Sequence, residues 1–254
     1  MNRWWMAAVL VASAALAGGC EKRGAAEKFG KTFYLDGAGN WGFGAADVPN
    51  GLKEAGYHGD VELYVWTSSF NPLIDQLNIG GAKLRGAILS DKIARYIERF
   101  PNNKINVIAL SAGTGVATWA VEGLKGGAKI DNLVLLGSSL SWDYDMTRAL
   151  KNMRGKIYVY HSSHDSVLQT VEVIGTIDGK RGVKSIGQVG LKPPPGMAER
   201  VVNTPWNKSW MRLGWAGAHT DCTNEKFVRY EIAKRLGIQP APAATETAVA
   251  STGP

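Results

Sequence analysis

Ser111 stands at the junction of an apolar run, Ile105-Asn-Val-Ile-Ala-Leu110, and a segment from Gly113 to Leu124 whose apolar residues recur at helical spacing. A serine on so sharp a strand-to-helix turn has strained backbone angles. It needs small residues two positions to either side, and Ala109 and Gly113 supply them. A helix N-terminus at that point favours negative charge developing during nucleophilic attack. The bland role for the same serine is a helix cap. Asp165 follows a second apolar run, Ile157-Tyr-Val-Tyr160, within His161-Ser-Ser-His-Asp-Ser-Val167. There a carboxylate either orients a base or caps the helix starting near Val167. His219 lies in Trp215-Ala-Gly-Ala-His-Thr-Asp221, where small neighbours let an imidazole reach across a sheet edge. A hydroxyl, an imidazole and a carboxylate are what acyl transfer through a covalent intermediate requires: attacker, base and orienter.

Other chemistries find less support. The glycine turn Asp36-Gly-Ala-Gly-Asn40 lacks the Lys of a phosphate loop and does not complete a G-x-G-x-x-G fingerprint. The two cysteines, Cys20 and Cys222, and the four histidines show no metal-ligand spacing, so no metal or cofactor is expected. His58 reads as a loop residue, and His161 and His164 as structural or site-lining. The formal charge of +7 is scattered, with one dense basic stretch, Gly179-Lys-Arg-Gly-Val-Lys184, and no interleaved aromatics. That is a solvated surface, or one facing an anionic membrane, rather than a nucleic-acid face.

The elements that must hold these residues alternate along the chain. Strands are expected at Thr32–Leu35, Val61–Trp66, Ile105–Leu110, Leu133–Leu136 and Ile157–Tyr160, with a last one within Trp206–Trp215. Helices are expected over Ala45–Tyr57, up to Phe100 with Leu89, Ile93, Tyr96 and Ile97 on one face, over Gly113–Leu124, Met146–Met153 and Val167–Ile174, and at the close with Val228, Ile232 and Leu236. Strand candidates that are almost wholly apolar predict a doubly wound, mostly parallel sheet covered on both faces, an α/β fold with its chemistry beyond the carboxyl ends of the strands.

In this order Ser111, Asp165 and His219 resemble the triad of the α/β-hydrolase fold family, serine esterases and lipases among them. Ala109-Leu-Ser-Ala-Gly113 resembles the G-x-S-x-G elbow, with Ala109 replacing the first glycine. Asp165 follows the strand two after the nucleophile's, as the family's acid commonly does, and His219 precedes the final helix. Phe33-Tyr-Leu-Asp-Gly-Ala-Gly-Asn40 resembles the oxyanion loop, with Asp36 where His is common. The resemblance spans about Lys31 to Ile238 and implies a serine hydrolase of the carboxylesterase or lipase kind, cleaving an ester, less readily an amide. Ser111 would attack, His219 would take its proton, Asp165 would orient the imidazole, and the amides of Ala38 and Ala112 would hold the oxyanion. Some relatives place the acid earlier, which makes Asp143 or Asp145 the rival to Asp165. The stretch Gly137–Lys156 is too short for a large lid, and Gly175–Pro205 is the excursion able to cover one side of a cleft. Trp41 and Phe43 either line an acyl pocket or pack in the core. The rival to an enzyme is a non-catalytic relative, a binding or scaffold lipoprotein at the cell envelope; Ala109 and Asp36 are the departures that feed it.

The N-terminus has the anatomy of an export signal: Arg3, an uncharged apolar stretch from Trp4 to Ala17, then small residues. Leu16-Ala-Gly-Gly-Cys20 resembles a bacterial lipobox, although Ala17 occupies the position where Leu is usual. The resemblance implies a lipid on Cys20 and an exported protein held on the periplasmic or cell-surface face of a bacterial membrane. The expected organisation is a signal peptide over 1–19, a tether over 20–30, the α/β-hydrolase domain over 31–238 and a disordered tail over 239–254. The expected partners are a small-molecule or lipid ester and the membrane reached through the anchor.

Overall fold

The structure is a computed structural model that describes residues 24–67 and 69–239. The stretch read as an export signal, Cys20 and the chain beyond residue 239 lie outside the described residues. Six strands form one all-parallel sheet in the order β2-β1-β3-β4-β5-β6: β1 Lys31–Leu35, β2 Asp60–Leu63, β3 Ile105–Leu110, β4 Asn132–Leu136, β5 Ile157–His161 and β6 Val201–Pro205. Every residue of β3 is buried, because helices cover both faces of the central strands. Alternate residues sort to opposite sides. Phe33, Leu35, Val107, Ala109, Leu133 and Leu135 join a core with the helices α3 (Ile79–Arg99) and α4 (Gly113–Glu122). Tyr34, Ile108, Leu110, Val134, Leu136 and Tyr160 join the other, against α1 (Asp47–Glu54) and a closing helix. The expected doubly wound parallel sheet is therefore present.

The remaining helices are α2 (Pro72–Leu77), α5 (Thr147–Lys151), α6 (Ser166–Ile174), α7 (Ile186–Val189) and the closing α8. That last helix runs Glu225–Phe227, widens to π-helical geometry over Val228–Ile232 and ends at Arg235, with Val228, Ile232 and Leu236 buried. No helix of the described residues is long and apolar enough to cross a membrane.

Three local expectations change. The last strand is β6, not a segment of Trp206–Trp215. Val201-Val-Asn-Thr-Pro starts on a buried valine, continues through alternately half-buried and exposed residues and ends on a proline, which suits its place as an edge strand. The aromatic run after it forms a 3-10 helix, Lys208–Leu213, whose N-cap Asn207 accepts the Ser209 amide. Trp210 is buried there by stacking on Trp215 rather than by strand pairing. Second, α2 is an addition to the expected elements. Its signal, Asn71 as N-cap accepting the Leu73 and Ile74 amides with Pro72 as first helical residue, is nonetheless in the sequence. Third, the end of the polar stretch read as a tether lies against the domain. The Glu27 carbonyl accepts from Tyr96 Oη and Asn103 Nδ2, and its carboxylate pairs with Lys31 at 2.9 Å and Arg99 at 3.1 Å. Burial acts to lower the Lys31 pKa, but hydrogen bonds to Asp60, Glu27 and Glu62 outweigh it and leave it raised. This cluster sits at the amino ends of the strands, the opposite end from Ser111.

Candidate active site

Ser111 lies between the last residue of β3 and the start of α4 with φ at +52°, one of three non-glycine residues with positive φ among the described residues. Such a backbone costs on the order of 1–3 kcal/mol and persists only where its surroundings impose it. Here its amide donates to the Leu136 carbonyl at 2.9 Å, at the end of β4. Its carbonyl accepts from the Thr114 amide, the Thr114 hydroxyl and, at 3.4 Å, the Ser139 amide. Gly113 is required: a Cβ there would stand 2.3 Å from the Asp36 carbonyl oxygen. Ala109 is fully buried and belongs to the core that packs against α3 and α4. The capping role does not apply to Ser111. The N-cap of α4 is Ala112, and no side chain bonds to that helix end.

Asp165 is 2% exposed and divides its carboxylate between two tasks. Oδ1 accepts the Leu168 amide at 3.0 Å as the N-cap of α6, and Oδ2 meets His219 Nδ1 at 2.6 Å. Orienter and cap, alternatives in the sequence, coexist. Gly137, with φ at +46°, fits beside the pair; a Cβ there would lie 3.3 Å from His219 Nδ1 and 3.5 Å from Asp165 Oδ2. Behind the imidazole, the buried Cys222 thiol donates to the His219 carbonyl at 3.2 Å. With Nδ1 donating to the carboxylate, Nε2 is the ring's remaining acceptor. His219 and Ser111 line one cavity of about 500 Å³. Among the described residues no hydrogen bond joins them, as is common where catalytic contacts tighten only around a substrate.

The rival acids lie elsewhere. Asp143 pairs with Lys180 at 2.8 Å, and Asp145 accepts the Thr147 amide at the start of α5. The other histidines also stay outside the cavity. His58 is exposed, His164 packs edge-on against Trp206 with ring centroids 4.9 Å apart, and burial lowers the pKa of His161.

The glycine turn after β1 passes alongside Ser111. A Cβ on Gly37 would be 3.2 Å from Ser111 Cβ. Asp36 folds its carboxylate back over the loop, Oδ1 taking the Gly37 amide at 2.8 Å and Oδ2 the Gly42 amide at 2.7 Å. Burial raises the Asp36 pKa, and these amides and the nearby His219 oppose the shift. The Gly39 amide goes to Asp75 and the Asn40 amide to the Gly37 carbonyl. Of the amides of residues 37–40, Ala38's alone has no partner among the described residues, and Ala38 lines the cavity. The Ala112 amide, next to the nucleophile candidate, is likewise unpaired among them.

The walls differ from expectation. They come from α2 (Pro72, Leu73, Gln76) and α6 (Val167, Thr170, Val171, Ile174), with Trp41, Phe43, Leu110 and Thr220, and not from the excursion after Gly175. Gln76 Nε2 donates to the Gly175 carbonyl at 3.0 Å, bridging the two walls. Trp41 is 63% exposed and Phe43 is 42% exposed, so both stand at the cavity rather than in the core. The lining is mostly apolar, with Ser111, His219, Thr220, Gln76 and Thr170 as its few polar side chains, which is how a site for a largely apolar ligand is built.

No family model and no curated protein matches the chain. Among solved structures it is similar to a cutinase-like protein from Cryptococcus sp., at 13% identity over 83% of this chain and 96% of that one, with a TM-score of 0.41. It is similar to esterase PE8 at 12% identity over 83% and 93%, with a TM-score of 0.49. It is also similar to phospholipase PlaB from Legionella pneumophila at 12% identity over 55% and 42%, with a TM-score of 0.36. Likenesses this distant transfer no activity.

Proposed function

We propose that the protein is a serine hydrolase that cleaves esters of apolar acids through an acyl-enzyme on Ser111. The observation that carries this reading is the 2.6 Å contact between His219 Nδ1 and Asp165 Oδ2 beside the strained, non-capping Ser111, in a cavity that both Ser111 and His219 line. His219 Nε2 takes the hydroxyl proton as Ser111 Oγ bonds to the ester carbonyl carbon. Asp165 holds the tautomer and stabilises the imidazolium. The tetrahedral oxyanion accepts from the Ala38 and Ala112 amides. The imidazolium then gives its proton to the departing alkoxide. Water, deprotonated by the same imidazole, attacks the acyl-enzyme and restores Ser111 with release of the acid. The acyl chain lies along Leu73, Val171 and Ile174, where burying each methylene favours binding by about 0.8 kcal/mol.

The purified protein is expected to release nitrophenol from p-nitrophenyl butyrate and octanoate, with an initial burst equal to the enzyme concentration when deacylation is slower. KM should fall from butyrate to octanoate as methylenes enter the cavity. Absence of turnover on both esters would favour the binding-lipoprotein reading.

The same proposal places a lipid on Cys20 and the protein on the outer side of a bacterial membrane. What supports it is the apolar stretch after Arg3 and the lipobox-like run Leu16-Ala-Gly-Gly-Cys20. Cys20→Ser should move the protein from the membrane fraction to the soluble one; a variant still sedimenting with membranes argues for plain export or another attachment.

A further inference from the structure

Asp75, on α2, belongs to no triad, yet it is 4% exposed and touches the loop that carries Ala38. Its Oδ2 accepts the Gly39 amide at 2.9 Å and the Thr67 hydroxyl, and its Oδ1 accepts the Ser69 hydroxyl at 2.6 Å. No cation pairs with it among the described residues. A buried carboxylate held by an amide and hydroxyls is a short-range clamp, because charge-assisted bonds are roughly twice as strong as neutral ones.

What it clamps is specific. Gly39 has φ at +84°, and a Cβ there would stand 2.9 Å from Trp41 Nε1 and 3.0 Å from Pro72 Cγ, so the loop is pressed onto the start of α2. The Asp36 carboxylate fixes the amides on either side, at Gly37 and Gly42, and Asp75 fixes the middle. With the Gly37 and Gly39 amides committed and the Gly37 carbonyl accepting the Asn40 amide at 3.1 Å, the peptide that carries the Ala38 N–H is held from both sides, and that N–H is the one left for a ligand. We infer that Asp75 is the positioning residue of the oxyanion site: by holding the Gly39 N–H it aims the Ala38 N–H at the carbonyl oxygen of the bound ester. This rests on the proposed hydrolase. It also ties the oxyanion loop to α2, the helix whose Leu73 and Gln76 wall the acyl cavity.

The test compares wild type, Asp75→Ala and Asp75→Asn in the full chain, each checked for folding by circular dichroism. The substrates are p-nitrophenyl acetate and octanoate, and the probe is an alkyl trifluoromethyl ketone that forms a hemiketal with the serine. Loss of one oxyanion donor costs on the order of 100-fold in kcat. Asp75→Ala should therefore lose about that factor on both esters with KM little changed, and should bind the ketone more weakly in proportion to kcat/KM. Asp75→Asn keeps one oxygen for the Gly39 amide but loses the charge, and should recover to within about tenfold of wild type. If Asp75→Ala does not fold, the Asn variant decides alone, through a reduced kcat at constant KM. The inference is overturned by wild-type kcat in the folded variants, by a loss confined to octanoate, which would make Asp75 part of the acyl wall, or by unchanged ketone affinity. A wild type inactive on both esters fails the hydrolase reading instead, before any variant is compared.

Discussion

Replacing Ser111 with alanine is expected to abolish ester turnover, with kcat falling by about 10⁴-fold or more, and to end labelling by a serine-directed fluorophosphonate. The expectation does not depend on folding. The substituted alanine would face the same left-handed backbone, and its smaller side chain removes no cap, since α4 is not capped by Ser111. The melting temperature should therefore stay near that of wild type. A companion variant separates chemistry from strain. Ser111→Gly loses the same hydroxyl but accepts φ of +52° without penalty. It should be as inactive as Ser111→Ala, yet more stable than that variant by roughly 1 kcal/mol, a rise of about 2–4 °C in Tm for a domain of this size. Equal fluorophosphonate labelling of wild type and Ser111→Ala would move the nucleophile elsewhere. A Ser111→Gly variant less stable than Ser111→Ala would show that the elbow is not under strain.

The second large effect belongs to Asp165. Asp165→Asn should lower kcat by about 10⁴-fold while changing stability by less than about 1 kcal/mol. The separation follows from the divided carboxylate. Asn caps a helix about as well as Asp, so the Leu168 amide keeps its acceptor. Toward His219 the amide nitrogen would donate to Nδ1, forcing the proton onto Nε2, where the base must be free. Asp165→Ala should be equally inactive but less stable by about a further 1 kcal/mol through loss of the cap. Asp143→Asn is the control, because Asp143 is held by Lys180 and not by His219. Turnover retained in Asp165→Asn and lost in Asp143→Asn would exchange the two assignments.

Much of the site is legible in the sequence because its signals are local. The buried run of β3, the small residues flanking Ser111 and the glycine turn after β1 each lie within a few residues of one another, and each states a backbone requirement. The structure sharpens the reasons. Gly113 is obligatory because the Asp36 carbonyl lies against it, whereas Ala109 is tolerated because its Cβ points into core. Less legible are the walls of the cavity. The six residues of α2 are too few to show a helical period, and only Asn71-Pro72 marks their start. No local signal singles out Asp75, because its donors, at Gly39, Thr67 and Ser69, meet it only when the loop after β1 packs on α2. The displaced last strand has a similar cause. Val201–Pro205 is a strand by its pairing with β5, and the aromatic run after it is buried by stacking, a tertiary arrangement that resembles strand propensity in sequence.

By itself the sequence determined the alternation of elements, the parallel character of the sheet and the three residue types at strand ends, since periodicity and turn chemistry are properties of short segments. Only the tertiary structure decided that Asp165 and His219, 54 residues apart, meet at 2.6 Å, and that Ser111 is freed from capping. It alone decided that an acid on α2 reaches the turn after β1. Those facts depend on which strands lie side by side and how closely their connections pack, and burial of distant surfaces against one another sets that geometry.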